Sequence, residues 1–274
     1  MTDNSAGEIV RYYTESDEAS RLRTGWFQLE QARTQELILR YIHPAPATVL
    51  DVGGGAGAYA CWLASRGYQV HLIDPVARHV EQARAASAKQ PQHRLASIAV
   101  GDARELTQAS HSTDAVLLLG PIYHLTERKD RLTALREAHR VLQSGGFVWV
   151  AAISRFASLL DSLSHGFFHQ PEFAPILDRD LAEGQHRNPT GNLLYFTDAF
   201  LHRPDELVGE LSEAGFELVE LVPVEGPGWL ARDFERLWND PQQRERLLAL
   251  LRRVEREPSL IGASSHILAI ARKR

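Results

Sequence analysis

Val49-Leu50-Asp51-Val52-Gly53-Gly54-Gly55-Ala56-Gly57 is the stretch on which the reading of this chain turns. An apolar run holding one acid passes into a cluster of glycines, and a helical pattern, Ala58–Arg66, opens directly after it. The spacing predicts a strand at Thr48–Val52, a tight turn, and a helix closed by Gly67. Glycines let such a turn tighten and let a ligand approach the backbone. The N–H groups at the start of the helix favour an anionic ligand group.

The same rhythm continues outward. Gln69–Ile73, Arg94–Val100, Ala115–Leu119 and Phe147–Ile153 read as four more strands. Val76–Ala88 and Thr126–Leu142 read as helices between them, with Thr126 as N-cap and Glu127 in the first turn. Ser144-Gly145-Gly146 makes the turn into the fifth strand. Apolar runs separated by helices mean parallel strands covered on both faces. Before this unit, residues 5–43 read as helical, with a broken stripe of Leu22, Trp26, Leu29, Leu37, Leu39 and Ile42 that ends at His43-Pro44. After it, residues 154–200 collect aromatic rings and histidines between prolines and read as an inserted lid. Pro204–Ala214 is a helix with Gly215 at C′. Phe216–Pro223 and Ser265–Ala271 read as strands, separated by the mostly helical Ala231–Arg256 with its stripe of Leu247, Leu248, Leu251 and Val254. The expected fold is therefore α/β: a doubly wound, seven-stranded, mostly parallel sheet with an antiparallel last strand. Its expected parts are a helical cap (1–45), a Rossmann-like core (46–153), a lid (154–200) and a C-terminal part of the core (201–274).

The glycine loop alone leaves two ligand classes open. Gly53-x-Gly55-x-x-Ala58 also satisfies the dinucleotide fingerprint, and Asp74, at the end of the second strand, suits a ribose in either case. Three further segments separate the readings. Asp51 stands two residues before the first glycine, Gly101-Asp102-Ala103 follows the third strand, and Leu118-Leu119-Gly120-Pro121-Ile122-Tyr123-His124-Leu125 follows the fourth. In this order, over roughly residues 46–153, the chain resembles the class I S-adenosylmethionine-dependent methyltransferases of small-molecule type. Tyr12-Tyr13 and the Arg21–Arg33 helix also look like the N-terminal cap of such enzymes.

The resemblance implies S-adenosylmethionine as cofactor. Asp51 would meet its ammonium, the loop at Gly53 and Gly55 its carboxylate, Asp74 the ribose, and Asp102 the adenine amino group. Pro75, Gly101, Ala103, Leu119 and Tyr13 would complete that site. Asp102 has a blander reading as a helix N-cap. His124, just past the carboxyl end of a central strand, is the candidate catalytic residue, a general base for an O, N or C nucleophile. Tyr123, His165 and Tyr195 are the candidate substrate contacts. His79 reads as solvated surface and Cys61 as a small buried hydrophobe. His165, His169 and His186 have no acid beside them to complete a ligand set, so no metal is expected.

The function expected is methyl transfer to a small molecule. The alternatives are other chemistry on the same cofactor (cyclisation releasing methylthioadenosine), a regulator that only binds it, and an NAD(P)-dependent oxidoreductase. The last would need a hydride-transfer constellation such as Tyr-x-x-x-Lys, which is not found. Composition agrees: among 274 residues, 44% are hydrophobic and 24% charged, and the net charge of -5 argues against a nucleic-acid partner. The one cysteine can form no internal disulfide. No stretch reaches the length of a membrane span and no signal peptide is visible, so a cytoplasmic monomer or homodimer is expected.

Overall fold

The structure, a computed structural model, describes residues 5–15 and 21–274. Its main sheet runs in the order β3-β2-β1-β4-β5-β9-β8. The strands are β1 (Thr48–Val52), β2 (Gln69–Asp74), β3 (Ser97–Val100), β4 (Thr113–Leu118), β5 (Leu142–Ser154), β8 (Phe216–Pro223) and β9 (His266–Lys273). The first five pair in parallel, while β9 runs antiparallel between β5 and β8. A two-residue strand, β6 (Gln185–His186), and β7 (Ala199–His202) form a small antiparallel ribbon. Through it the insertion is tied to the last two residues of β5, by Ile153 to Leu201 and Ser154 to His202.

The near-pure apolar strands are explained by burial on both faces. Along β1, β4 and β5, alternate residues Leu50, Val52, Val116, Leu118, Val148 and Val150 pack under the helices Arg128–Val141 and Pro204–Glu213. Their neighbours Val49, Ala115, Leu117 and Trp149 pack under Phe27–Tyr41 and Ala58–Ala64. The period of two thus feeds two separate cores. Trp149 is fully buried and its indole N–H donates to the Leu37 carbonyl, locking the cap helix to the sheet. The predicted 5–43 helical segment is not continuous: helices span 5–15 and 27–41, residues 16–20 lie outside the described residues, and residues 22–26 are turns around Gly25 at φ 52°, so the expected Arg21–Arg33 helix begins only at Phe27.

Two local expectations are corrected. Helix 128–141 is preceded by Glu127 as the capping residue, not Thr126, and Glu127 makes no side-chain cap bond. Thr126 instead turns inward, buried, with its carbonyl accepting from Arg131 and Gln185. The Ser144-Gly145-Gly146 segment is not a turn ahead of β5 but an irregularity within it. The pairing jumps from Thr113–Leu142 to Ala115–Phe147, with Gly145 at φ 81° absorbing the extra chain.

Candidate active site

A cleft of about 740 Å³ lies across the carboxyl ends of β1, β2 and β4, where a doubly wound sheet places its ligands. The cap contributes Tyr13, Leu22, Glu30 and Thr34 to one side, and His266 at the start of β9 closes the far end.

At the glycine loop the local geometry admits little else. Gly53 sits at φ 68°, and a Cβ there would lie 2.6 Å from Pro121 Cγ. Gly55, at φ 55°, faces open space within the cleft. A side chain at either position would be strained and would fill the room a ligand needs. The Gly55 N–H donates to Asp74 Oδ2 at 2.8 Å, and the Val76 N–H to Asp74 Oδ1 at 2.9 Å, so Asp74 is fixed at the loop's edge. Asp51 lies below the loop, 1% exposed. Burial, aided by the neighbouring Asp74 charge, pushes its carboxyl up to about 7. Its Oδ2 has no hydrogen-bond partner. A buried carboxylate with an unused oxygen is costly on its own and fits a cationic ligand group.

His79 overturns the solvated reading. It is 4% exposed, its Nδ1 lies 3.1 Å from Asp74 Oδ1, and its Nε2 has no partner. The reason is helical: Val76, His79, Val80, Ala83 and Ser87 share the buried stripe of this segment. Asp102 caps no helix. It accepts from the backbone and guanidinium of Arg104, at 2.8 and 2.6 Å, and these bonds hold its carboxyl below the usual range. Cys61 is only half-buried and borders the cleft, and burial raises its thiol.

His124 ends a one-turn helix, Pro121–His124, whose proline start suits a helix N-terminus. Its Nδ1 faces the Asp198 carbonyl at 3.4 Å, and its Nε2 faces the Tyr13 hydroxyl at 2.7 Å. A carbonyl only accepts, so Nδ1 carries the proton and Tyr13 donates to Nε2. Burial pushes this imidazole down to about 4, so it is neutral and weakly basic. Tyr13 also packs edge-on against His79 and His124, at centroid distances of 5.4 and 5.2 Å.

The structure gathers Tyr13, Asp51, Gly53, Gly55, Asp74, Pro75, Gly101, Asp102, Ala103, Leu119, Tyr123 and His124 around this one cleft. His165 and Tyr195 are elsewhere. His165 is exposed and bonds back to Asp161, while Tyr195 is buried against Phe173, Ile176 and Leu177 within the insertion. His186 is also internal there, held between Asp180 and the Tyr195 carbonyl, both at 2.7 Å.

Sequence reasoning missed a second polar group. His266 Nδ1 lies 2.7 Å from Glu225 Oε1, and Glu225 Oε2 accepts from Ser264 Oγ and the His266 N–H. Glu30, itself paired with Arg21, is 4.0 Å from the same ring nitrogen. Burial alone would lower this imidazole, but the Glu225 and Glu30 charges outweigh it and lift it to about 9. The usable signal was register: Pro223 pairs with Ile267, which sets Glu225 beside His266.

The family model described as "Methyltransferase domain" matches residues 50–150. Among solved structures, the chain is similar to an S-adenosylmethionine-dependent methyltransferase from Methanosarcina mazei (21% identity, TM-score 0.59, 86% of this chain and 96% of that one). It is similar to one from Mesorhizobium loti (17% identity, TM-score 0.58, covering 89% and 100%). The [4+2]-cyclase SpnF is similar as well (19% identity, TM-score 0.58, covering 94% and 85%). No curated protein matches the chain. Among the described residues no helix is long and apolar enough to cross a membrane. Residues 50–150 thus match a methyltransferase domain, and the doubly wound sheet built around them is the fold shared with these solved structures.

Proposed function

We propose that this protein binds S-adenosylmethionine in the 740 Å³ cleft and transfers its methyl group to a nucleophilic atom of a small molecule. The observation that carries the reading is the orphaned, buried Asp51 oxygen beneath an open glycine loop. An α-ammonium there would restore the carboxylate's charge. Asp74, already aligned by two backbone N–H groups, takes the ribose hydroxyls. Asp102 keeps lone pairs for the adenine amino group after Arg104 is served. Pro75, Gly101, Ala103 and Leu119 wall the adenosyl moiety, and Tyr13 covers it. When bound, the cofactor supplies an activated methyl on a sulfonium, so the hard chemistry is its own.

The protein's share is alignment and exclusion of water. Tyr13 and His124 tie helix 5–15 to the rim of the cleft and keep it covered. His124 serves here as a neutral acceptor for Tyr13 and fixes the Tyr123–His124 turn. Its low basicity and its engaged Nε2 suit it poorly to deprotonate a hydroxyl. Tyr123, 8% exposed, stands between the His124 and His266 rings and forms the wall that the acceptor meets.

The test is calorimetry with adenosylmethionine, S-adenosylhomocysteine and NAD, on the wild type and Asp74→Ala, followed by product analysis. The reading expects adenosyl-ligand binding that Asp74→Ala weakens, no NAD signal, and S-adenosylhomocysteine as product. NAD binding alone would refute it. Methylthioadenosine as the product would move the protein to the cyclising alternative.

A further inference from the structure

The group at the far end of the cleft has the form of an acceptor site. His266 begins β9 opposite Ile153 of β5, and so stands at the ligand edge of the sheet. Its Nδ1 is committed to Glu225, whose own oxygens are held by Ser264 and backbone N–H. Among the described residues its side chain hydrogen-bonds through Nδ1 and not through Nε2, and the ring borders the cavity. Tyr123, the wall residue after β4, is 6.5 Å away ring to ring. The geometry is that of a carboxylate-oriented imidazole presenting one nitrogen to a cavity.

A cation at the same place is the competing occupant, because Glu30, Glu225 and His266 bring ligand atoms within 4.8 Å of one another. The donors are spent otherwise. Both Glu30 oxygens accept from Arg21, and the His266 nitrogen near them is bonded to Glu225. A metal would have to break an ion pair and a carboxylate–imidazole bond at once.

Resting on the reading of the cleft as a methyltransferase site, we infer that His266, oriented by Glu225, is the catalytic residue that receives the acceptor, and that the acceptor is an acidic oxygen nucleophile, a phenol or a carboxylic acid. With Glu225 and Glu30 beside it the imidazole carries its proton near neutral pH, so the Nε2–H donates to an oxyanion. A protonated amine would meet a like charge. The step balances without a further reagent. The acceptor oxygen arrives as its anion and forms the new bond to the methyl carbon. The carbon–sulfur bond breaks with its electron pair going to sulfur, and the proton stays on His266.

The experiment separates this inference from the reading beneath it. Protein saturated with S-adenosylhomocysteine is titrated by ligand-observed NMR with 4-nitrophenol, benzoate and benzylamine. Wild type is compared with His266→Asn and with Glu225→Gln, which keeps the buried shape. The same three proteins are assayed for S-adenosylhomocysteine affinity by calorimetry. Loss of a charge-assisted hydrogen bond is worth roughly 10- to 100-fold in affinity. The expected result is binding of at least one oxygen ligand and not of benzylamine, weakened by about that factor in both variants, with cofactor-product affinity unchanged. Equal binding by wild type and variants, a preference for benzylamine, or no binding of either oxygen ligand overturns the assignment of His266. If the wild type binds no adenosyl ligand at all, the methyltransferase reading falls, and this inference with it.

Discussion

Asp51→Asn is expected to flatten the pH dependence of stability while weakening the cofactor site. The carboxyl is held up at about 7 in the folded protein, against an ordinary value of 3.8. The folded chain therefore binds this proton more tightly than the unfolded one, and stability falls as pH rises through 7. Taken from those two values, a single such group costs about 1.4 kcal/mol between pH 6 and 8.5, levelling off at the upper end where both states are ionised. At this chain length that is a fall of roughly 3–6 °C in Tm. Asparagine keeps the shape and cannot ionise, so its slope over that interval should be shallower by that amount. The cost of leaving its buried amide hydrogens unpaired, about 1–3 kcal/mol, shifts the whole curve without tilting it. The assay is chemical denaturation of both proteins at half-unit pH intervals. Only the difference between the two curves is read, because His266 also loses stability as pH climbs toward 9. Parallel curves would refute the argument and with it the claim that Asp51 waits for a cation. In the same variant, adenosylmethionine should bind at least tenfold more weakly at pH 8.

Three other outcomes follow from geometry. Tyr13→Phe removes the 2.7 Å bond to His124 but keeps the ring packing, so stability should fall by about 1 kcal/mol and adenosylmethionine should dissociate faster in stopped flow. Gly53→Ala adds a Cβ 2.6 Å from Pro121 on a backbone at φ 68°, which should abolish adenosyl binding in calorimetry and cost about 1–3 kcal/mol in denaturant. Arg131→Met strands the buried Glu210, which Arg131 meets through two nitrogens at 3.0 and 2.8 Å, and should cost about 3–5 kcal/mol by the same denaturation assay.

The central strands β1, β4 and β5 were legible because they are buried on both faces and so appear as mostly apolar runs, whereas β3 and β8 at the sheet edges are partly exposed. Thr48–Val52 and Phe216–Pro223 fall where the pattern puts them. Boundaries drifted where no apolar signal exists. The third strand begins at Ser97 rather than Arg94, and the polar Leu142–Gly146 stretch joins β5 through pairing alone. The glycine loop end of the cleft was legible because its residues lie close together in sequence and act through backbone geometry. His79 was misread although the buried stripe of its helix passes through it. His165 and Tyr195 were singled out by composition, which says nothing of direction, and both turn away from the cleft. Glu30, Glu225 and His266 come from three segments far apart along the chain, and the β8–β9 register and the packing of the cap helix on the sheet bring them together.

That last juxtaposition bears on how the molecule is made. The strand carrying His266 lies inside the sheet, between β5 and β8, yet it occupies residues 266–273. During synthesis the earlier strands and the glycine loop emerge first and can associate while the chain is still growing. The cavity then has one wall missing, and β5 exposes an unpaired edge of apolar residues, the kind of surface that seeks another strand. Only when residue 273 has left the ribosome can β9 insert, cover that edge and deliver His266. On the proposed reading, the growing chain completes its cofactor loop before its acceptor wall, and the interval between the two is the time in which the β5 edge stays open.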